Sequence, residues 1–202
     1  MTDTLYLPAS EGEMYGNLKI TRLNREQIAE IFTQHMKADF PPDELKPLKM
    51  MMKMLDDGVY DCLGLFENDL LSGYAYLIRI GKNCLLDYFA VVRGKRSQGY
   101  GSLFLQQLKE YLKDEELLMI ESEDPDFSEG EEDYATRCRR VDFYLKNGFR
   151  DTGARALLFG VRYVLLEPDC DSHSREEICD SYYAHYRAVL SDKLYNENVE
   201  IH

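Results

Sequence analysis

The stretch Tyr88-Phe89-Ala90-Val91-Val92-Arg93-Gly94-Lys95-Arg96-Ser97-Gln98-Gly99-Tyr100-Gly101-Ser102 decides the reading of this chain. It joins an apolar strand to a helix through a loop that contains glycines. A loop of this kind aims backbone N–H groups at one point. Gly99 and Gly101 carry no Cβ, so a bulky anion can approach the main chain, and the positive end of the following helix adds to the attraction. The ligand that suits this chemistry is a pyrophosphate. Arg93, Lys95 and Arg96 are concentrated here, where a polyanion would need local compensation. Taken alone, the same residues also read as a surface turn with solvated cations.

Upstream, Val59 to Phe66, Leu70 to Ile80 and Cys84 to Val92 read as strands parted by the turn residues Glu67-Asn68-Asp69 and Gly81-Lys82-Asn83, which predicts an antiparallel meander. Before them, Asn17 to Leu23 alternates as a short strand with Leu18, Ile20 and Arg22 on one side, and Asn24 caps a helix through about His35. After the break at Pro41-Pro42, Asp43 starts a second helix with Leu48, Met51, Met52 and Leu55 on one face and Asp57-Gly58 as its stop. The methionines Met50, Met51, Met52 and Met54 read as core packing or as an adaptable apolar wall.

Downstream, Phe104, Leu108 and Leu112 mark a helical stripe flanked by Leu105 and Tyr111. Leu117 to Glu123 reads as a strand with Leu117, Met119, Glu121 and Glu123 on one face. Glu131-Glu132-Asp133 opens a helix whose buried stripe is Tyr134, Cys138, Val141 and Leu145, with Asn147-Gly148 as its stop. Phe149 to Thr152 and Ala154 to Leu166 supply closing strands, and Pro168 ends the sheet region. Ser174 to about Leu194 is again helical, with Ile178, Tyr182, Tyr186 and Val189 on one stripe.

The expectation is an α/β fold with a mixed, mostly antiparallel central sheet flanked by helices. One domain covers residues 1–168, and a C-terminal helical extension over 169–202 packs on that domain or on a second copy as a homodimer.

The 202 residues suit one core, and 45% hydrophobic with 30% charged residues is ordinary for a globular protein. With 24 basic against 37 acidic residues the net charge is -13, which disfavours nucleic acid and suits an amine or polyamine. The longest apolar runs, Ala156 to Val161 and Val164 to Leu166, fall short of the roughly 20 residues of a spanning helix. Met1 to Ser10 has no basic n-region and no apolar stretch of a secretory signal, so a cytoplasmic protein without membrane attachment is expected. Five cysteines without a Cys-x-x-Cys pair fit a reducing compartment. Cys170, His173, Cys179 and His185 match no familiar zinc spacing, so no metal is expected.

Arg96-x-x-Gly99-x-Gly101, after Phe89-Ala90-Val91 and before an amphipathic helix, resembles the acetyl-CoA loop of the GCN5-related N-acetyltransferases (GNAT). Arg140 to Phe149 is similar to that family's later helix, which ends in Phe-Tyr-x-x-x-Gly-Phe. The likeness extends by element order over roughly Asn17 to Leu166. The chain departs from the family at Arg137, where an Asn is common, and at Val92 and Arg93, where an acidic residue and a proline are common. The resemblance implies a sheet splayed at the cofactor strand and acetyl transfer from acetyl-CoA to a small-molecule or peptide amine in a ternary complex. It implies that the main chain of Phe89, Ala90 and Val91 pairs with the pantetheine arm, and that Arg96, Ser97, Gln98, Gly99, Tyr100, Gly101 and Ser102 wrap the pyrophosphate. It also implies Tyr144 as general acid to the thiolate and the Val91 N–H as oxyanion donor.

For the base, Glu121 interrupts an apolar strand, where partial burial of a carboxylate favours proton acceptance. Glu123, Asp87 or a water chain are the alternatives. Arg137, Arg140 and Tyr144 share one helix stripe, where an arginine can meet phosphate, position the acceptor or pair with nearby acids. The acid-rich run Glu121 to Asp133 reads as a solvated loop or as a draw for a cationic acceptor. The competing function is a non-catalytic acyl-CoA-binding or regulatory module that kept the loop and lost turnover. A nucleotide site of another fold fits less well, because the loop lacks a Gly-Lys-Ser/Thr ending.

Overall fold

Two hairpins show how local sequence sets the sheet. Strands β3 (Tyr60–Glu67) and β4 (Leu70–Ile80) are joined by Asn68 and Asp69, both left-handed at φ 48° and 67°. That conformation matches the twist of a two-residue hairpin, and Asn and Asp adopt it at low cost. Strands β7 (Phe149–Leu158) and β8 (Val161–Pro168) are joined in the same way by Phe159 at φ 48° and Gly160 at φ 85°. The continuous run expected from Ala154 to Leu166 is therefore split by this turn, which carries no Asn or Asp to announce it.

The computed structural model describes residues 4–6, 18–42 and 44–201. Apart from Thr4–Tyr6, the reading of Met1 to Ser10 lies outside the described residues, as does the helix start at Asp43. The remaining elements are β1 (Thr4–Tyr6), β2 (Leu18–Arg22), α1 (Arg25–Ile31), α2 (Leu48–Asp56), β5 (Asn83–Val91), α3 (Tyr100–Tyr111), β6 (Leu117–Glu123), α4 (Glu131–Lys146), α5 (Arg175–Val189), α6 (Asp192–Asn198) and β9 (Val199–Ile201). Together they make an α/β architecture with a mostly antiparallel sheet flanked by helices.

The chain divides into two compact units. One comprises the described residues up to Ile78 with Asp87–Lys113; the other comprises Arg79–Leu86 with the described residues from Asp114 onward.

In the first unit the strand order is β1-β2-β3-β4 and then β5. The pairings of β1 with β2, β2 with β3 and β3 with β4 are antiparallel. Gly73 on β4 permits a close approach: a Cβ there would meet the Ala90 carbonyl oxygen at 2.9 Å and the Phe104 ring at 3.1 Å. Helix α3 buries Phe104, Leu105 and Leu108 completely and Leu112 nearly so, as its stripe predicts. Helix α1 starts with a reciprocal cap between Asn24 and Gln27 and continues through a π-helical turn, Phe32–Met36, to Lys37–Asp39. Helix α2 begins at Leu48, behind Pro47, and buries Met51 and Met54. The stretch ahead of it stays non-helical because the Tyr88 hydroxyl donates to the Glu44 carbonyl and accepts from the Lys46 N–H, each at 2.8 Å, and because Pro47 disfavours helix at Lys46.

In the second unit the order is β5-β6-β8-β7-β9. The β5–β6 ladder is parallel and runs from Asn83↔Leu117 to Leu86↔Ile120. The pairings β6–β8, β7–β8 and β7–β9 are antiparallel, with a register shift in β7 between Asp151 and Arg155 where Gly153 takes φ 77°. Helix α5 opens with a reciprocal cap between Ser174 and Glu177 and buries Ile178, Tyr182 and Tyr186 fully. The tail helix ends at Val189, short of the Leu194 expected, because Ser191 caps a separate α6 that leads into β9.

The stripe expected on α4 is not the buried one. Tyr134 and Leu145 are exposed, and Cys138 and Val141 are only partly covered. The helix is instead held by Arg137 and Arg140 on the buried carboxylate of Glu123. This turns a face roughly 100° away toward the strands, as 3.6 residues per turn requires. Among the described residues, no helix is long and apolar enough to cross a membrane.

Left-handed geometry at an exposed phenylalanine is unfavourable. Phe159→Asn, which creates an Asn-Gly turn, is expected to raise stability by about 1 kcal/mol and the melting temperature by about 2–4 °C. Calorimetric melting checks this.

Candidate functional site

Strand β5 leaves the sheet at Val91, and the Val92 N–H still reaches the Ser72 carbonyl at 3.0 Å. A short 3-10 turn, Arg93–Lys95, follows. Ser97 then adopts φ 61° and Gly99 φ 87°, and α3 begins at Tyr100. The first helical bond is Leu103 N–H to Gly99 O at 3.1 Å, and no side chain caps Gly99. The first-turn N–H groups, including those of Gly101 and Ser102, therefore have no acceptor within the helix. Ser97, Gln98, Gly99 and Ser102 are exposed and Gly101 is half-buried, so this stretch of main chain lies at the surface. Backbone donors at an uncapped helix start are of the kind that can accept an anion. The amide of Gln98 donates to the Gly94 carbonyl at 2.9 Å and braces the turn.

The basic side chains of the loop are tied to partners that linear spacing could not reveal. Arg96 donates to the Val91 carbonyl at 2.9 Å and to Asp39 at 2.6 Å. Arg93 donates to the Ala38 carbonyl at 2.6 Å and lies 3.6 Å from Asp39, whose side chain is 3% exposed. Lys95 pairs with Glu67 and reaches the Tyr100 hydroxyl, which in turn donates to Glu67 at 2.7 Å. Hydrogen bonds from Lys95 and then Tyr100 hold the Glu67 carboxyl below its usual range. With these cations partly compensated, the main chain carries the larger share of any grip on phosphate. Asp39 and Glu67 complete the site and were missed in the sequence, since neither lies near the loop in the chain.

Phe89 packs its ring 5.3 Å from Phe104, and the Ala90 carbonyl approaches Gly73. Asp87 accepts from Lys46 and from the Tyr60 hydroxyl, each at 2.5 Å, with its side chain 1% exposed. That carboxylate is paired with an ammonium group.

In the second unit Glu123 is similarly compensated, by Arg137 at 3.2 Å and by Arg140. Glu121 is half-buried and accepts from the Tyr182 hydroxyl at 3.0 Å and the Tyr186 hydroxyl at 2.6 Å. The two glutamates, read as one face of a strand, thus turn to different helices. Tyr144 lies on the covered side of α4 with its ring edge-on to Phe149 at 6.1 Å and to Phe143 at 5.3 Å. Burial pushes its phenol well above the ordinary range, partly offset by Arg140, so it stays protonated. The tyrosines holding Glu121 were visible as a tail stripe but carried no signal of a polar partner.

Among the described residues, Glu167, Asp171 and His173 bring ligand atoms within 4.8 Å of one another. Arg150 already pairs with Glu167, and His173 Nδ1 lies 2.7 Å from it, so a cation would compete with a guanidinium.

No family model and no curated protein matches the chain. Solved structures do. A putative acetyltransferase of the GNAT family from Bacteroides thetaiotaomicron is similar at a TM-score of 0.61 and 20% identity, covering 93% of this chain and 98% of that one. The ribosomal-protein-S18-alanine N-acetyltransferase from Escherichia coli matches at 0.56 and 15%, covering 77% and 96%. An aminoglycoside 6'-N-acetyltransferase complexed with coenzyme A matches at 0.52 and 14%, covering 75% and 98%. At such identities the likeness is one of architecture, and it shows that this chain has the GNAT acetyltransferase fold.

Proposed function

We propose that this protein transfers the acetyl group of acetyl-CoA to an amine within a ternary complex. The observation that carries the reading is the open N-terminus of α3, preceded by left-handed Ser97 and Gly99, in a GNAT fold. The backbone of Ser97 to Ser102 would hold the diphosphate, and the main chain of Phe89, Ala90 and Val91 would align the pantetheine arm. Arg96 would act mainly by bracing the loop through Asp39 and Val91. The similar aminoglycoside enzyme, whose structure contains coenzyme A, supports this choice of cosubstrate. The thioester supplies the acyl group.

The residues of the chain handle the protons. Glu121 takes a proton from the incoming ammonium, which frees the nitrogen to attack the carbonyl carbon. As the carbon–sulfur bond breaks, Tyr144 gives its phenol proton to the departing thiolate, and the second proton lost by the acylated nitrogen restores the phenol by way of solvent. A phenol kept protonated by burial can donate there without adding charge beforehand. The net charge of -13 favours a cationic acceptor, either a small molecule or a peptide. Five cysteines present as free thiols fit a cytoplasmic setting.

Gly101→Glu places a carboxylate among the first-turn amides and is expected to weaken coenzyme A binding at least ~100-fold by calorimetry. Tyr144→Phe is expected to lower kcat about 100-fold while leaving the acetyl-CoA dissociation constant within about two-fold, measured by release of free thiol with a panel of amines. Wild-type binding of coenzyme A without turnover on any amine would favour the non-catalytic module.

A further inference from the structure

Helix α4 is 16 residues long, and each of them keeps part of its surface in solvent. Arg137, Arg140 and Tyr144 hold it to the second unit, through Glu123 and Phe149. Tyr134, Cys138, Val141 and Leu145 recur at i, i+4, i+7 and i+11 on a different face. Tyr134 is 49% exposed and Leu145 42%, with Cys138 and Val141 half-buried between them. This is the spacing with which a helix covers an apolar neighbour, and here it is turned to solvent over about 16 Å of helix.

The charges beside the stripe select the neighbour. The first turn is acidic, with Glu131, Glu132 and Asp133, and the last turn is basic, with Lys146. Glu131 and Lys146 lie on the same flank of the stripe, both exposed. In an antiparallel pair of identical helices about a two-fold axis, each flank meets itself. Glu131 then faces Lys146 of the partner subunit at both ends of the contact. The same operation sets Tyr134 against Leu145 of the partner subunit and Cys138 against Val141 of the partner subunit, so large residues meet at the ends and small ones at the middle. Asp142, exposed on that flank, meets Ala135 of the partner subunit, and no like charges are brought together there. A parallel pair would crowd the acids of the two first turns, and a partner of one charge sign would match one end of the helix alone.

We propose that the Tyr134-Cys138-Val141-Leu145 face of α4 is a docking surface for a second copy of this chain, paired antiparallel about a two-fold axis near residues 139 and 140. A single helix face lies at the small end of specific interfaces, so the dimer is a dynamic one with a dissociation constant of about 1–100 μM. The contact uses the second unit alone and is independent of the acetyl-transfer reading.

Sedimentation of the full chain from about 1 to 500 μM is expected to show a reversible monomer–dimer equilibrium. Tyr134→Glu with Leu145→Glu is expected to weaken it at least about 30-fold, with the melting temperature unchanged within about 2 °C because both positions are exposed. Glu131→Lys alone is expected to weaken it about five-fold, and adding Lys146→Glu to that variant to restore it within about two-fold. Should the double glutamate variant unfold, the charge swap decides. Cys62 and Cys84 are buried, so a Cys170→Ser, Cys179→Ser variant leaves Cys138 as the thiol in reach, and a short bis-maleimide is expected to join two chains through it. A chain that stays monomeric throughout, a dimer indifferent to the two glutamates, a swap that fails to restore pairing, or no cross-link at Cys138 would overturn the inference.

Discussion

The loop ahead of α3 is shaped around backbone N–H groups at the start of that helix which the helix cannot satisfy for itself. Any helix has such groups, and most chains cap them with a side chain. Here Gly99 stands at the cap position with no side chain to offer, and the chain is left-handed at both Ser97 and Gly99. The sequence of β5, its exit at Val91 and the brace from Gln98 to Gly94 serve that arrangement. An anion is the partner that such a set of donors lacks.

Charge is distributed around the molecule so that buried acids do different work according to what meets them. Asp39 and Glu67 draw the arginines and the lysine of the loop inward and make its shape rigid at the expense of its positive field. Glu123 fixes the rotation of α4 by meeting Arg137 and Arg140, which places Tyr144 on the covered side and leaves Tyr134 and Leu145 in solvent. Glu121 accepts from the phenols of Tyr182 and Tyr186 on the tail helix.

Much of the fold was legible because strands and helices announce themselves by period. The β3, β4, β5 and β6 segments and the α3 stripe lie within a residue or two of their expected bounds, since each is long, regular and bounded by Asn, Asp or Gly. The α4 stripe was misread because periodicity ranks residues by hydrophobicity, and an ion pair to a buried acid outweighed a tyrosine and a leucine. The turn at Phe159-Gly160 was hidden because phenylalanine does not signal left-handed geometry.

The sequence by itself determined the strand, loop and helix around Gly99 and Gly101, because backbone freedom and helix polarity are local properties of consecutive residues. It also singled out Tyr144 and the acids at positions 87, 121 and 123. Only the tertiary structure decided which side chains meet each of those acids, and that Arg93 and Arg96 answer to Asp39. Ion pairs and hydrogen bonds are made through space between residues far apart in the chain, here 61 and 65 positions for Glu121 and its tyrosines, so no spacing along the chain encodes them.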